Sequence, residues 1–210
     1  GRARAQQEVM VSQYMFNGLF INPAYAGTHP FASASLLHRD QWTGMSGAPV
    51  TSMLAIDGPF WNERMGLGFT LVHDQIGVSR DLEMAGQYAY SVRTGKNGRL
   101  SFGLKAGISL YSAKLSDLVY WDQNDPLYQQ NIRNAAVGKF GAGLYWHNDR
   151  SYAGLSVPTI HAADGSVVRA VQSASDHYFT QHYYLNAGHV FEINEDRDLK
   201  PSTLVKFQPE

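Results

Sequence analysis

From Leu82 to Val92 the chain alternates. Leu82, Met84, Gly86, Tyr88, Tyr90 and Val92 fall on one side of an extended strand, and Glu83, Ala85, Gln87, Ala89, Ser91 and Arg93 on the other. After the turn-forming run Thr94-Gly95-Lys96-Asn97-Gly98 the alternation resumes, with Leu100, Phe102, Leu104, Ala106, Ile108 and Leu110 opposed by Ser101, Gly103, Lys105, Gly107, Ser109 and Tyr111. Side chains of a strand alternate between its two faces, so each run has one oily face and one small or polar face. A tilted strand needs roughly 9–11 residues to cross a bilayer, whereas strands of soluble domains average about 5–6. The pattern predicts an all-β fold, an antiparallel transmembrane β-barrel with lipid outside and a polar lumen.

The same reading yields about nine strands by their length and punctuation. They run over Phe31–Trp42, Val50–Asp57, Met65–His73, the two segments above, Val137–Trp146, Ser151–Val157 and Phe179–Ile193, with a last one from Leu199. Short turns near 60–64, 94–99, 147–150 and 194–198 alternate with long polar connections at 115–136 and 158–177, and the 74–81 connection is intermediate. Short turns on one side and long loops on the other are the topology of an outer-membrane barrel. Residues 6–30 lack the alternation, and Asn22-Pro23 and Ala26-Gly27 are turn signals, so a short helical or irregular lead-in or plug is expected there. Ala3-Arg4-Ala5 has the small-x-small form of a signal-peptidase site, which makes residues 1–5 a leader or expression remnant, residues 31–210 the barrel, and the protein an exported one. Single-chain bacterial barrels have even strand numbers, so about nine strands imply a barrel short of its C-terminal strands or completed by a partner.

Composition narrows the function more than the fold. The chain has 210 residues, 17% of them charged, with 12 Tyr, 10 Phe and 20 Gly. Few charges and many Tyr, Phe and Gly suit a barrel with aromatic girdles, and equally a secreted β-sandwich. A formal net charge of -1 without a basic stripe argues against nucleic-acid binding. The absence of cysteine removes disulfides and thiolate metal sites. No apolar run reaches the length of a membrane helix, so a membrane form must be a barrel.

Candidate chemistry is sparse. His177 and His182 lie five apart in an aromatic segment, which puts them on opposite faces of a strand and prevents a shared metal. Asp122, Asn124 and Asp125 lack the spacing and closing Glu of a calcium loop. Gly138-Lys139-Phe140-Gly141-Ala142-Gly143 lacks the Lys-Ser/Thr ending of a phosphate loop, and small inward residues in a barrel explain it better. No nucleophile elbow or acid/base pair stands out, so neither a cofactor nor a catalytic residue is expected. Glu83, Arg93, Lys105 and Lys139 are expected in the lumen, paired or solvated, or in contact with an inserted polypeptide.

Ser12-Gln13-Tyr14-Met15-Phe16-Asn17 followed by Ile21-Asn22-Pro23-Ala24-Tyr25-Ala26-Gly27 resembles the N-terminal signature of the PorP/SprF family, outer-membrane proteins of the type IX secretion and gliding systems of Bacteroidota. Arg39-Asp40-Gln41-Trp42-Thr43-Gly44, Gly47-Ala48-Pro49-Val50-Thr51, Gly66-Leu67-Gly68, Asp74-Gln75-Ile76-Gly77 and Leu199-Lys200-Pro201-Ser202 fit the same family in order and spacing. Gly18 stands where the family commonly has Pro, and the family runs on for further strands after Lys-Pro-Ser. The resemblance implies a non-enzymatic barrel in the outer-membrane lipid that works with other type IX components. Those components are a secreted adhesin or a peptidoglycan-binding lipoprotein. It marks Gln13, Tyr14, Met15, Phe16, Asn17, Asn22, Pro23, Ala24, Tyr25 and Gly27 as a plug or docking segment. It marks Arg39, Gln41, Trp42, Gly44 and Pro49 as a barrel motif. A passive porin with an open lumen is the competing expectation.

Overall fold

The computed structural model describes residues 17–61, 64–95, 97–113, 132–163, 181–194 and 197–208. Strands β1 (Ser33–Asp40), β2 (Val50–Phe60), β3 (Met65–Ile76), β4 (Ser79–Thr94), β5 (Gly98–Ala113), β6 (Ile132–His147), β7 (Ser151–Ala163) and β8 (Tyr183–His189) pair in chain order, each antiparallel to the next. A ribbon of β9 (Phe191–Asn194) and β10 (Arg197–Leu199) follows, and β11 (Ser202–Phe207) returns to pair with β8. The main sheet has nine strands, and among the described residues β1 and β11 are its edges. No described helix is long and apolar enough to cross a membrane, and strands make up nearly all the regular structure.

The period of two decides which face is wet. On β4, Ala85, Gln87 and Ala89 are buried while Gly86, Tyr88, Tyr90 and Val92 are exposed. On β5, Ser101, Gly103 and Lys105 are buried, while Phe102 and Leu104 are 49% and 63% exposed. Leu67, Phe69, Phe140, Leu144, Leu155, Leu185 and Val205 continue this exposed apolar face around the sheet. A soluble domain rarely exposes so large a contiguous apolar area. The concave face carries the small and polar residues, as a barrel wall requires.

Hairpin ends step progressively along the strands. Phe60 pairs with Met65 and Met65 with Tyr90, but β4 runs on to Thr94 before turning. Ser151 pairs with His189, and the chain then runs on through β9 to Asn194. Such stagger is what strand tilt in a barrel produces.

Four boundaries differ from the sequence reading. The intermediate connection at 74–81 is a tight turn, because Gly77 adopts φ +58 and lets β3 and β4 extend to Ile76 and Ser79. β7 continues past Val157 to Ala163 through a register shift opposite Phe140–Ala142. There Gly141 leaves room for Pro158, since a Cβ on it would lie 2.2 Å from the Pro158 carbonyl oxygen. A proline inside a sheet is confined to edges and bulges, and this one sits at a bulge. The segment expected as one strand over Phe179–Ile193 breaks at Val190, whose N–H donates to the Arg150 carbonyl at 2.7 Å. The strand expected from Leu199 breaks at Pro201, which accepts from His189 N–H at 3.2 Å and has no N–H to return.

Candidate functional site: a lumenal plug and its seat

Asn17-Gly18-Leu19-Phe20 and Asn22-Pro23-Ala24-Tyr25 are two short 3₁₀ turns, at Gly18–Phe20 and Pro23–Tyr25. Each opens with an asparagine in extended conformation. The Asn17 side-chain oxygen accepts from Leu19 N–H at 2.8 Å, and that of Asn22 from Ala24 N–H at 2.9 Å. Asparagine favours this place because its short carbonyl reaches the orphan N–H groups of a helix start. Both amides then bond the wall. Asn17 Nδ2 donates to Ser35 Oγ on β1 at 2.7 Å, and Asn22 Nδ2 to the Leu144 carbonyl on β6 at 2.9 Å. Leu19, Ile21, Asn22, Ala24 and Ala26 are each at most 2% exposed.

The seat is one hydrogen-bonding row of small residues. Gly66 on β3 pairs with Ala89, Ala89 with Gly103, Gly103 with Gly143, and Gly143 with Ser156 on β7. Residues Ile21–Gly27 cross this row from β7 to β3. Ser156 Oγ donates to the Ile21 carbonyl. A Cβ on Gly143 would lie 2.1 Å from Asn22 Oδ1, one on Gly103 2.0 Å from Ala24 N, and one on Gly66 2.0 Å from the Ala26 carbonyl oxygen. Leu19, Ala26, Ala55 and Ala89 close an apolar cluster with Phe20 and Tyr25. At the β3 end Gly27 N–H donates to Asp57 Oδ2 at 3.1 Å, and Ser33 Oγ to Asp57 Oδ1 at 2.7 Å. Tyr25 packs edge-on against Tyr145, and its hydroxyl meets His29 Nε2 at 2.9 Å. Burial, then the charge of Asp57, holds the Tyr25 phenol above its ordinary pKa, so it stays neutral.

The wall toward the long-loop end carries charge. Glu83 bridges two lysines, with Lys105 Nζ on Oε1 and Lys139 Nζ on Oε2, both at 2.6 Å. Lys105 and Lys139 are 9% and 8% exposed. Lys105 lies one inward row beyond the seat, Lys139 two and Glu83 three, by the strand register. Arg93 shares their face but not their cluster: it is exposed near the turn end of β4, opposite Arg99.

The sequence-marked residues therefore fall in two places. Asn17, Asn22, Pro23, Ala24, Tyr25 and Gly27 form the plug, while Gln13, Tyr14, Met15 and Phe16 lie outside the described residues, as does His177. Arg39, Gln41, Trp42, Gly44 and Pro49 sit at the opposite, long-loop end. There Gln41 N–H bonds the Pro49 carbonyl at 3.0 Å, and Gly77 N–H ties the loop to the β3–β4 turn through the Gly47 carbonyl at 2.9 Å. Gly44 at φ +95 and Trp42 at φ +53 shape that loop, and Trp42 is 70% exposed. Sequence reasoning missed the seat: inward glycines were visible, but not that they align and receive the lead-in. Among the described residues no cluster of His, Asp or Glu could hold a metal ion.

The family model for type IX secretion system membrane protein PorP/SprF matches residues 3–210. This chain belongs to the PorP/SprF family. A PorP/SprF protein is a type IX secretion system membrane protein, and the outward apolar face described above agrees with residence in the outer membrane. Comparison with curated proteins and with solved structures finds no match.

Proposed function

We propose that this PorP/SprF protein is a non-enzymatic, plugged barrel of the type IX machinery that assists export or surface anchoring of cargo, rather than a conducting pore. The observation that carries this reading is the segment Asn17–Gly27 buried across the concave wall, with Asn22, Pro23 and Ala24 at most 2% exposed. A passive porin keeps an aqueous channel, whereas here a peptide occupies that space against a wall shaped to receive it. Residues so buried serve the barrel's own packing and present nothing to a partner. Docking of an adhesin or a peptidoglycan-binding lipoprotein then falls to other surfaces.

The test is a pair of measurements on one set of strains and proteins. Loss of the gene is expected to abolish surface delivery of type IX cargo, and the purified chain is expected to be silent in planar bilayers. Intact cargo delivery together with steady conductance in the wild type would establish the porin reading instead.

A further inference from the structure

The outer face of the wall changes character row by row toward the long-loop end. The register aligns Leu71 with Met84 and Met84 with Ile108, then His73 with Leu82 and Leu82 with Leu110, then Gln75 with Arg80 and Arg80 with Ser112. All of these have the outward parity of Leu67, Tyr88 and Leu104. The first row is apolar, the second mixed and the third polar, and the third is the last outward row before the β3–β4 turn. Across β1–β5, Arg80 is the only lysine or arginine with the outward parity; Arg39, Arg93, Arg99 and Lys105 all have the inward one. A cation on the lipid face is costly at the bilayer midplane and costs little at its surface, so the Arg80 row marks the headgroup level. The β1–β2 loop agrees with that level. It is tied to the β3–β4 turn by Gly77 N–H on the Gly47 carbonyl, and it carries the exposed Trp42 and Met45. Tryptophan collects where membrane meets water.

Arg80 is exposed, and His73, Gln75 and Ser112 around it are half-buried. Gln75 and Ser112 stand directly opposite Arg80 on the neighbouring strands, and His73 is its diagonal neighbour, within reach of a long side chain. Among the described residues, none of these four side chains makes a hydrogen bond or an ion pair. The one carboxylate with the outward parity on β1–β5 is Asp40. It sits three strands along the same row and meets His38 Nε2 at 3.3 Å. Arg80 therefore has no counter-charge on its own face of these strands. Its guanidinium presents a fork of donors that matches phosphate oxygens. The Gln75 amide, the Ser112 hydroxyl and the His73 ring can add donors on either side.

We propose that Arg80, Gln75 and Ser112, with His73 on the adjoining row, bind the phosphate headgroup of a lipid whose acyl chains lie down the wall over Leu82, Met84 and Ile108. The juxtaposition decides the ligand. A soluble anion satisfies Arg80 and leaves the apolar rows beneath it in contact with nothing of its own, whereas a phosphorylated lipid covers both. In outer-membrane barrels the long loops face outside, so the lipid belongs to the outer leaflet. The site rests on the outward face of the wall, and its test reads lipid retention whether or not secretion depends on the protein.

The probe is dioleoyl phosphatidic acid, titrated into the detergent-solubilised full chain and counted on the protein by native mass spectrometry. Expected is saturable retention of the lipid that weakens about tenfold in Arg80→Gln. Arg80→Lys keeps the charge without the fork and is expected to fall between the two. Arg93→Gln removes the same charge from the inward face of the same strand and is expected to bind as the parent. Dioleoyl phosphatidylcholine, with the same chains and a neutral headgroup, is expected to be retained at least about tenfold more weakly. Glycerol phosphate, the anion without the chains, is expected not to displace the lipid. Arg80 is exposed and unbonded, so Arg80→Gln is expected to unfold in urea at the parent midpoint, which separates a lost site from a lost fold. If that variant does not fold, Gln75→Leu/Ser112→Ala replaces it, with a loss of at least about threefold expected. The proposal is overturned if the parent retains no phosphatidic acid, if Arg80→Gln retains it as the parent does, or if Arg93→Gln loses it equally. It is also overturned if phosphatidylcholine is held as tightly, or if glycerol phosphate displaces the lipid, which would make this a site for soluble anions.

Discussion

Gly103→Ala tests whether the lead-in rests on the row of small residues. The added Cβ would lie 2.0 Å from Ala24 N and 2.3 Å from the Pro23 carbonyl carbon. Both are backbone atoms, so no rotamer change relieves the contact, and the plug must retreat by more than an ångström. Overpacking of this kind costs about 1–3 kcal/mol. Full release of the plug costs more. It exposes Leu19 and Ile21, now 1% and 2% exposed, at about 1.5–3 kcal/mol each. It also breaks the Asn22 and Asn17 bonds, each worth about 0.5–1.5 kcal/mol. The single variant is therefore expected to keep its plug and lose about 1–3 kcal/mol in urea unfolding of the detergent-solubilised barrel. Gly103→Val/Gly143→Val strains the segment at two points and is expected to release it. The chain has no cysteine, so Thr28→Cys provides a clean reporter: protected from maleimide in the parent and in Gly103→Ala, labelled in the double variant. Gly86→Ala is the control, since no atom lies within 4 Å of its Cβ. Parent-like stability in Gly103→Ala, with Thr28→Cys equally protected in the double valine variant, would refute the seat.

Other substitutions probe the clips and the charges. Asn22→Ala removes both a cap and the bond to the Leu144 carbonyl and is expected to cost about 1–3 kcal/mol in the same unfolding assay. Asn22→Asp keeps the cap acceptor but not the donor, and is expected to recover only part of that loss. Glu83→Gln leaves Lys105 and Lys139 buried without their shared carboxylate and is expected to cost about 3–5 kcal/mol, while Lys105→Met costs less because Glu83 keeps Lys139; the reverse order would contradict the bridge. Tyr25 has a raised pKa when folded, so its contribution is present below the ordinary tyrosine value of 10.0 and falls as pH rises past it, where the unfolded phenol ionises first. Unfolding measured from pH 9 to 11 is expected to show a shallower decline in Tyr25→Phe than in the parent.

Much of the fold was legible because alternation is a local property. Leu82–Val92 and Leu100–Leu110 declare both their strand character and their faces, and the observed burial of β4 and β5 follows that division. Of the two asparagine-led turns, the one at 22–25 was legible only as the Asn22-Pro23 turn signal, and the one at 17–20 only as part of a short helical or irregular lead-in. Pro158 and Pro201 show the limit of boundary reading: each was visible, but the bulge at one and the break at the other depend on Gly141 and His189, remote partners in the sheet. Glu83, Lys105 and Lys139 were assigned one face from parity alone. That a single carboxylate bridges both lysines follows from the β4–β5–β6 register.

The sequence accounts for the strand type, the lipid and lumen faces and the family, since each rests on near-neighbour periodicity or on contiguous motifs. Register belongs to the assembled sheet. Gly66, Ala89, Gly103, Gly143 and Ser156 are scattered over five strands and carry no common local signal. They become one groove when hydrogen bonding between neighbouring strands aligns them, and the same alignment sets Arg93 against Arg99 at the mouth. A side chain's face depends on its own strand, whereas the company it keeps across the wall depends on every pairing between.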